Sequence, residues 1–138
     1  MSFISIEEAL HKGKGSVAIR GWIYRERGSN EFKFIVLRDS SNIIQCVFKK
    51  ERFNEKQWDE LDKVPIESSM TIEGTLKEDK RAPTGYELQA ETFTIVHRAE
   101  NFPIAKDQST EFLLDMRHLA LRSRRLAAVM KVRHTVMK

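Results

Sequence analysis

Between residues 16 and 97 the chain repeats one signal: short runs dense in β-branched and aromatic residues, separated by turn formers. Such runs read as strands. Three come in succession, at 16–24, 32–38 and 43–48. Gly28-Ser29-Asn30 and Asp39-Ser40-Ser41-Asn42 supply the turns between them. The period then changes. Over 51–61, Phe53, Trp58 and Leu61 fall at helical spacing. Residues 70–76 return to strict alternation as a fourth strand. A loop at 81–85 leads to a fifth run, 86–97, long enough to bend. Ahead of the first strand, Ser5-Ile6-Glu7-Glu8 has the form of a capping box, so a short helix should begin there and end at Gly13 or Gly15.

Three strands, a helix and two more strands predict a mainly β domain. The pattern matches the OB-fold, a five-stranded Greek-key barrel, partly open, with a helix between strands three and four. Gly21 and Gly74, inside strands, suit the bends of a small barrel. The barrel should occupy residues 1–98, and the polar stretch 99–111, with Pro103, reads as a linker. In 112–138 the last part, from Ser123, carries Leu126, Val129, Met130, Val132, Val136 and Met137, several of which share one helical face. No stop signal follows, so this C-terminal helix is expected to open a larger domain that is cut short.

Charge decides less than its total suggests. The net charge is +4, but all seven Lys/Arg from Arg117 onward face no acid in that stretch, and residues 1–116 carry −3. Within residues 1–116, the segment from Arg20 to Arg52 is locally basic, with eight Lys/Arg against four acids. An RNA backbone senses charge within a Debye length, so that segment is the relevant one. A single cysteine, Cys46, excludes an internal disulfide, and the four histidines show no metal-ligand spacing. No apolar run is long enough for a helical membrane span, and the N-terminus lacks a signal peptide. A cytoplasmic setting is expected. There is no Gly-rich phosphate loop and no nucleophile–base arrangement; Asp39 reads as a turn former.

Period-two alternation sorts the strand faces. In the third strand, Ile44, Cys46 and Phe48 form an apolar set for the core, which leaves Ile43, Gln45 and Val47 outside. In the second, Ile35 and Leu37 face the core, and Phe32, Phe34, Val36 and Arg38 face out. Strands two and three form the oligonucleotide-binding face of an OB-fold. A phenyl ring can stack a base, and a glutamine amide can match a Watson–Crick edge. Arg25 and Arg27 could reach phosphates or a neighbouring base. Two readings stay open for Phe34, stacking of a base or packing under a helix or loop. Two also remain for Gln45, base recognition or an ordinary exposed amide.

Gly21-Trp22-Ile23-Tyr24-Arg25-Glu26-Arg27, Phe34-Ile35-Val36-Leu37-Arg38-Asp39 and Ile43-Ile44-Gln45-Cys46-Val47 resemble the anticodon-binding domain of class II aminoacyl-tRNA synthetases of the aspartyl, asparaginyl and lysyl subgroup. The resemblance continues through Thr94-Ile95-Val96-His97-Arg98-Ala99-Glu100 and from Phe112 to Arg122, which resembles the opening of the catalytic domain. From Ser123 the chain resembles the motif 1 helix of the homodimer interface. Glu100-Asn101-Phe102-Pro103-Ile104 and Glu111-Phe112-Leu113-Leu114-Asp115 look more asparaginyl than aspartyl. The resemblance implies that Phe34 stacks on the middle anticodon base and that Gln45 reads it as uracil. It implies that Arg27, with Glu87, lies near the first base. Asn42 stands where relatives often have Gly; Asn tolerates the left-handed conformation, so the turn is expected to survive. The partner implied is the anticodon loop of a tRNA. ATP and Mg2+ belong to the catalytic domain of such enzymes, so this chain is expected to use no cofactor and to be catalytically silent. An aspartate–tRNA ligase domain and a free-standing single-strand binder are the alternatives.

Overall fold

The computed structural model describes residues 2–100, 102–104 and 109–138; Met1, Asn101 and 105–108 lie outside the described residues, and with them part of the expected linker. The chain forms two compact units, 1–100 and 101–138.

The first unit opens with α1 (Ile6–Lys12). Ser5 accepts the Glu8 N–H and Glu8 accepts the Ser5 N–H, so the capping box forms as its spacing requires. Gly13, at φ 69°, ends the helix in the left-handed region. Then come β1 (Gly15–Gly28), β2 (Phe32–Arg38), β3 (Ile43–Lys49), a 3-10 turn (Lys50–Arg52), α2 (Glu55–Asp62), β4 (Ser69–Glu78) and β5 (Tyr86–His97). The strands close into a barrel in the order β1-β2-β3-β5-β4. All ladders are antiparallel except β3 to β5, which is parallel and completes the Greek key. The barrel is closed where a partly open one was expected.

Two local expectations are corrected. The helix expected over 51–61 starts later, because Asn54 and Gln57 make a reciprocal capping box that fixes its N-terminus, leaving Phe53 extended. The first strand runs on through Gly28, four residues past the expected end, because β2 pairs with it that far. The β2–β3 turn survives with Asn42, as expected, and without a positive φ there, Glu67 being the one non-glycine with positive φ among the described residues. Asn42 holds the turn through its side chain instead. Its Oδ1 accepts from Ile43 N–H (2.8 Å) and its Nδ2 donates to Glu7 (2.8 Å).

The core is filled by inward residues of every strand, among them Ile19, Ile23, Ile35, Leu37, Ile44, Cys46, Phe48, Ile72 and Leu88. α1 adds Ile6 and Ala9, and α2 adds Leu61. Gly21 and Gly74 serve close approach of backbones: a Cβ at Gly21 would lie 2.3 Å from the Arg38 carbonyl oxygen, and one at Gly74 2.2 Å from that of Gln89. The β2–β3 turn is tied to α1. The Asp39 carboxylate accepts from Ser41 N–H (2.7 Å), Ser41 Oγ (2.6 Å), Asn42 N–H (3.1 Å) and, across the barrel end, Ile6 N–H (2.8 Å). Asp39 is thus a turn former that also caps a remote helix. Burial opposes its ionisation, but the Ser41 hydroxyl and the Ile6, Ser41 and Asn42 N–H groups outweigh that, and its pKa is lowered.

The second unit holds α3 (Thr110–Asp115), α4 (Arg117–Ala120) and α5 (Arg124–Met137), with Ser109 capping α3 and Ser123 capping α5. Val129, Met130, Val132, Val136 and Met137 are exposed on α5. No helix among the described residues is long and apolar enough to cross a membrane.

Candidate nucleic-acid interface

Strand pairing aligns the sequence-selected residues in two neighbouring rows on one outer face of the barrel. In the first row Arg25 pairs with Val36, Val36 with Gln45, and Gln45 with Glu87. In the second, Arg27 pairs with Phe34, Phe34 with Val47, and Val47 with Gln89. The structure therefore brings Arg25, Arg27, Phe34, Gln45 and Glu87 together.

A bulge in β1 makes this possible. Ile23 pairs with Leu37 and Arg25 with Val36, so Tyr24 is an extra residue. Ile19, Gly21 and Ile23 are all buried, and unbroken alternation would send Arg25 and Arg27 into the core as well. The bulge resets the parity, so both arginines emerge on the Phe34 face. Glu26 instead pairs with inward Ile35, and Gly28 with Lys33. Lys33, only 4% exposed, forms an ion pair with Glu26.

Phe34 is half-buried but stands outside the core, as does Phe32, whereas Phe48, Phe53 and Phe93 pack together in and against it. Phe34 thus takes no part in the core cluster. The Arg27 guanidinium lies 4.7 Å from the Phe34 ring centroid. Phe32 lies beside Phe34, with ring centroids 6.3 Å apart and planes 26° from parallel. Gln45 is half-buried, in a row that ends at a carboxylate. Glu87 is 6% exposed and accepts a hydrogen bond from Gln89 Nε2 at 2.9 Å. Arg25 folds back on Tyr24, its guanidinium 4.3 Å from the ring, and donates to the Tyr24 carbonyl at 3.0 Å.

The geometry thins the basic segment. Of its eight cations, Lys33 is buried in its ion pair, and Arg38 is paired with Glu67 (2.6 Å) at a largely buried position. Arg20 lies over Phe3, in a groove it lines with Trp22 and Val96. Of the remaining five, Arg25 and Arg27 lie in the rows of Gln45 and Phe34, Lys49 and Lys50 line a depression with Phe32, and Arg52 does not line it. Gln89 and Lys49 carried no signal in the strand alternation that selected Gln45, because their relevance depends on which strand lies next to them. Burial pushes the Cys46 thiol well above its ordinary pKa, so no nucleophile is available there. No group of three or more His, Cys, Asp or Glu among the described residues could hold a metal ion.

Residues 17–96 match the family model described as the OB-fold nucleic acid binding domain. The chain is 49% identical over 137 residues to the asparagine–tRNA ligase of Thermoplasma acidophilum, covering 98% of this chain and 32% of that protein. It is 55% identical over 122 residues to that of Thermococcus kodakarensis, covering 88% of this chain and 28% of the relative. The crystal structure of asparaginyl-tRNA synthetase from Pyrococcus horikoshii, complexed with asparaginyl-adenylate, superposes with a TM-score of 0.87 at 32% identity. That match covers 99% of this chain and 32% of that one. The chain thus spans about a third of the length of the relatives it matches.

Proposed function

The chain belongs to the OB-fold nucleic acid binding domain family, and from that premise we propose that its Phe34 face binds unpaired bases of a tRNA anticodon loop, as the recognition part of an asparagine–tRNA ligase. The observation that carries the reading is the pairing of two rows on one face, a ring beside an arginine and an amide beside a carboxylate. The identity to asparagine–tRNA ligases over nearly the whole chain supports the parent activity.

The roles follow from chemistry. Phe34 stacks a splayed base for about 1–3 kcal/mol. Arg27 holds its place on the ring for only about 0.5–1 kcal/mol at such a site, so the base can displace it. The released guanidinium then meets a phosphate or the base edge. Gln45 offers one acceptor and two donors, which suit the donor and acceptor edge of uracil. Glu87, an acceptor held by Gln89, suits a base edge that presents N–H donors. Asparagine attachment, with ATP and Mg2+, belongs to the greater part of the enzyme that this chain does not span, with α5 at a homodimer interface and the whole enzyme cytoplasmic.

The test is binding of an RNA stem-loop with uracil at the middle anticodon position. Phe34→Ala and Gln45→Ala should each weaken it about tenfold or more, with the circular dichroism spectrum unchanged. Wild-type affinity in both variants overturns the reading. Equal affinity of the unaltered chain for a cytosine-centred loop would make it a general single-strand binder.

A further inference from the structure

We propose that Phe32 is a second stacking platform, which takes the base next to the one on Phe34 while Lys49 and Lys50 meet the phosphate that links them. This rests on the single-stranded RNA reading of the Phe34 face. Phe32 and Phe34 are two residues apart on one strand and share its outer face. Their ring centroids lie 6.3 Å apart, with the planes 26° from parallel. Neither belongs to the core, and Phe32 is 37% exposed. Together the two rings make a continuous apolar strip on this face, rimmed by charge. Aromatic residues side by side on a sheet each hold one base in other single-strand binders.

The surroundings fit a nucleotide. A depression of about 330 Å³ beside Phe32 is lined by Glu31, Lys49, Lys50 and Glu51. Lys49 is the cross-strand partner of Phe32, so its ammonium rises from the same face. The Lys50 N–H donates to the Glu31 carbonyl at 2.9 Å, which ties the β1–β2 loop to the end of β3 and fixes this wall. The two carboxylates can accept from base amino groups or a ribose hydroxyl. Continuity with the Phe34 row favours the next base of the same strand over any other occupant.

The experiment uses the 138-residue chain and the uracil-centred stem-loop, with two further loops that carry one abasic nucleotide on either side of that uracil. Phe32→Ala should weaken binding of the intact loop about fivefold or more. Wild type should lose a similar factor on one of the abasic loops, where Phe32→Ala adds nothing further. Phe32→Leu, which keeps the apolar bulk, should lose most of the same factor and unfold at the wild-type temperature. The proposal is overturned if Phe32→Ala binds the intact loop as wild type does while Phe34→Ala is weakened. It is also overturned if its loss is equal on all loops, or if the substitution changes self-association in sedimentation instead. If Phe34→Ala itself binds normally, the underlying reading has failed.

Discussion

Salt dependence measures how many cations of this chain an RNA meets, and the structure sets that number. Each phosphate neutralised on a single strand contributes about −0.7 to the slope of log affinity against log salt. The eight Lys/Arg between Arg20 and Arg52 would give about −5.6 if all of them counted. Lys33 and Arg38 are committed to Glu26 and Glu67, Arg20 lies over Phe3, and Arg52 does not line the Phe32 depression. Arg25, Arg27, Lys49 and Lys50 remain, for a slope of about −2.8 at most. Raising salt about fourfold should therefore weaken the stem-loop about 50-fold, against about 2,000-fold for the full set. Fluorescence anisotropy titrations at four or more salt concentrations give the slope. Alanine at Arg27 or Lys49 should each flatten it by about 0.7. A slope steeper than about −5, or one unmoved by both substitutions, would refute the assignment of charges.

Asp39→Ala should cost about 2–4 kcal/mol, since it orphans donors in the β2–β3 turn and at the start of α1. Thermal unfolding should shift down by about 10 °C or more, and a shift under about 3 °C would mean the turn holds α1 without it. Because the folded pKa of Asp39 is lowered, its stabilisation is complete above the ordinary carboxylate pKa of about 3.9 and is lost as pH falls through the folded value. The stability gap between wild type and Asp39→Asn should accordingly narrow in acid. Cys46, fully buried with its thiol pKa raised, should resist a thiol reagent until denaturant unfolds the barrel. Rapid labelling of the native chain would contradict that burial.

Alternation alone was enough to set Ile35, Leu37, Ile44, Cys46 and Phe48 inside and Phe34 and Gln45 outside, because β2 and β3 pair without a bulge and side-chain period is a local property. The same local logic gave the direction of Val47 and Ile43 but not their burial on that outer side. Val47 lies between Phe34 and Gln89, its cross-strand partners on other strands. Alternation does give Lys33 the inward parity of Ile35 and Leu37, but it could not see the ion pair with Glu26 that accommodates a lysine there. Capping boxes at Ser5 and Asn54 are both local signals, but the apolar spacing around Phe53 competes with the second and points to an earlier start.

By itself, then, the sequence determined the order of strands, the helix between the third and fourth, and the outward ring and amide. Tertiary structure decided the rest of the face. Arg25 and Arg27 emerge beside Phe34 because β2 pairs across an extra residue at Tyr24, and no pattern within β1 announces it. Glu87 meets Gln45 because barrel closure lays β5 parallel to β3, joining residues 42 positions apart. Periodicity records which way a side chain points along its own strand. Which strand lies next to it, and in what register, is settled only when the barrel closes and every inward position must fill one core.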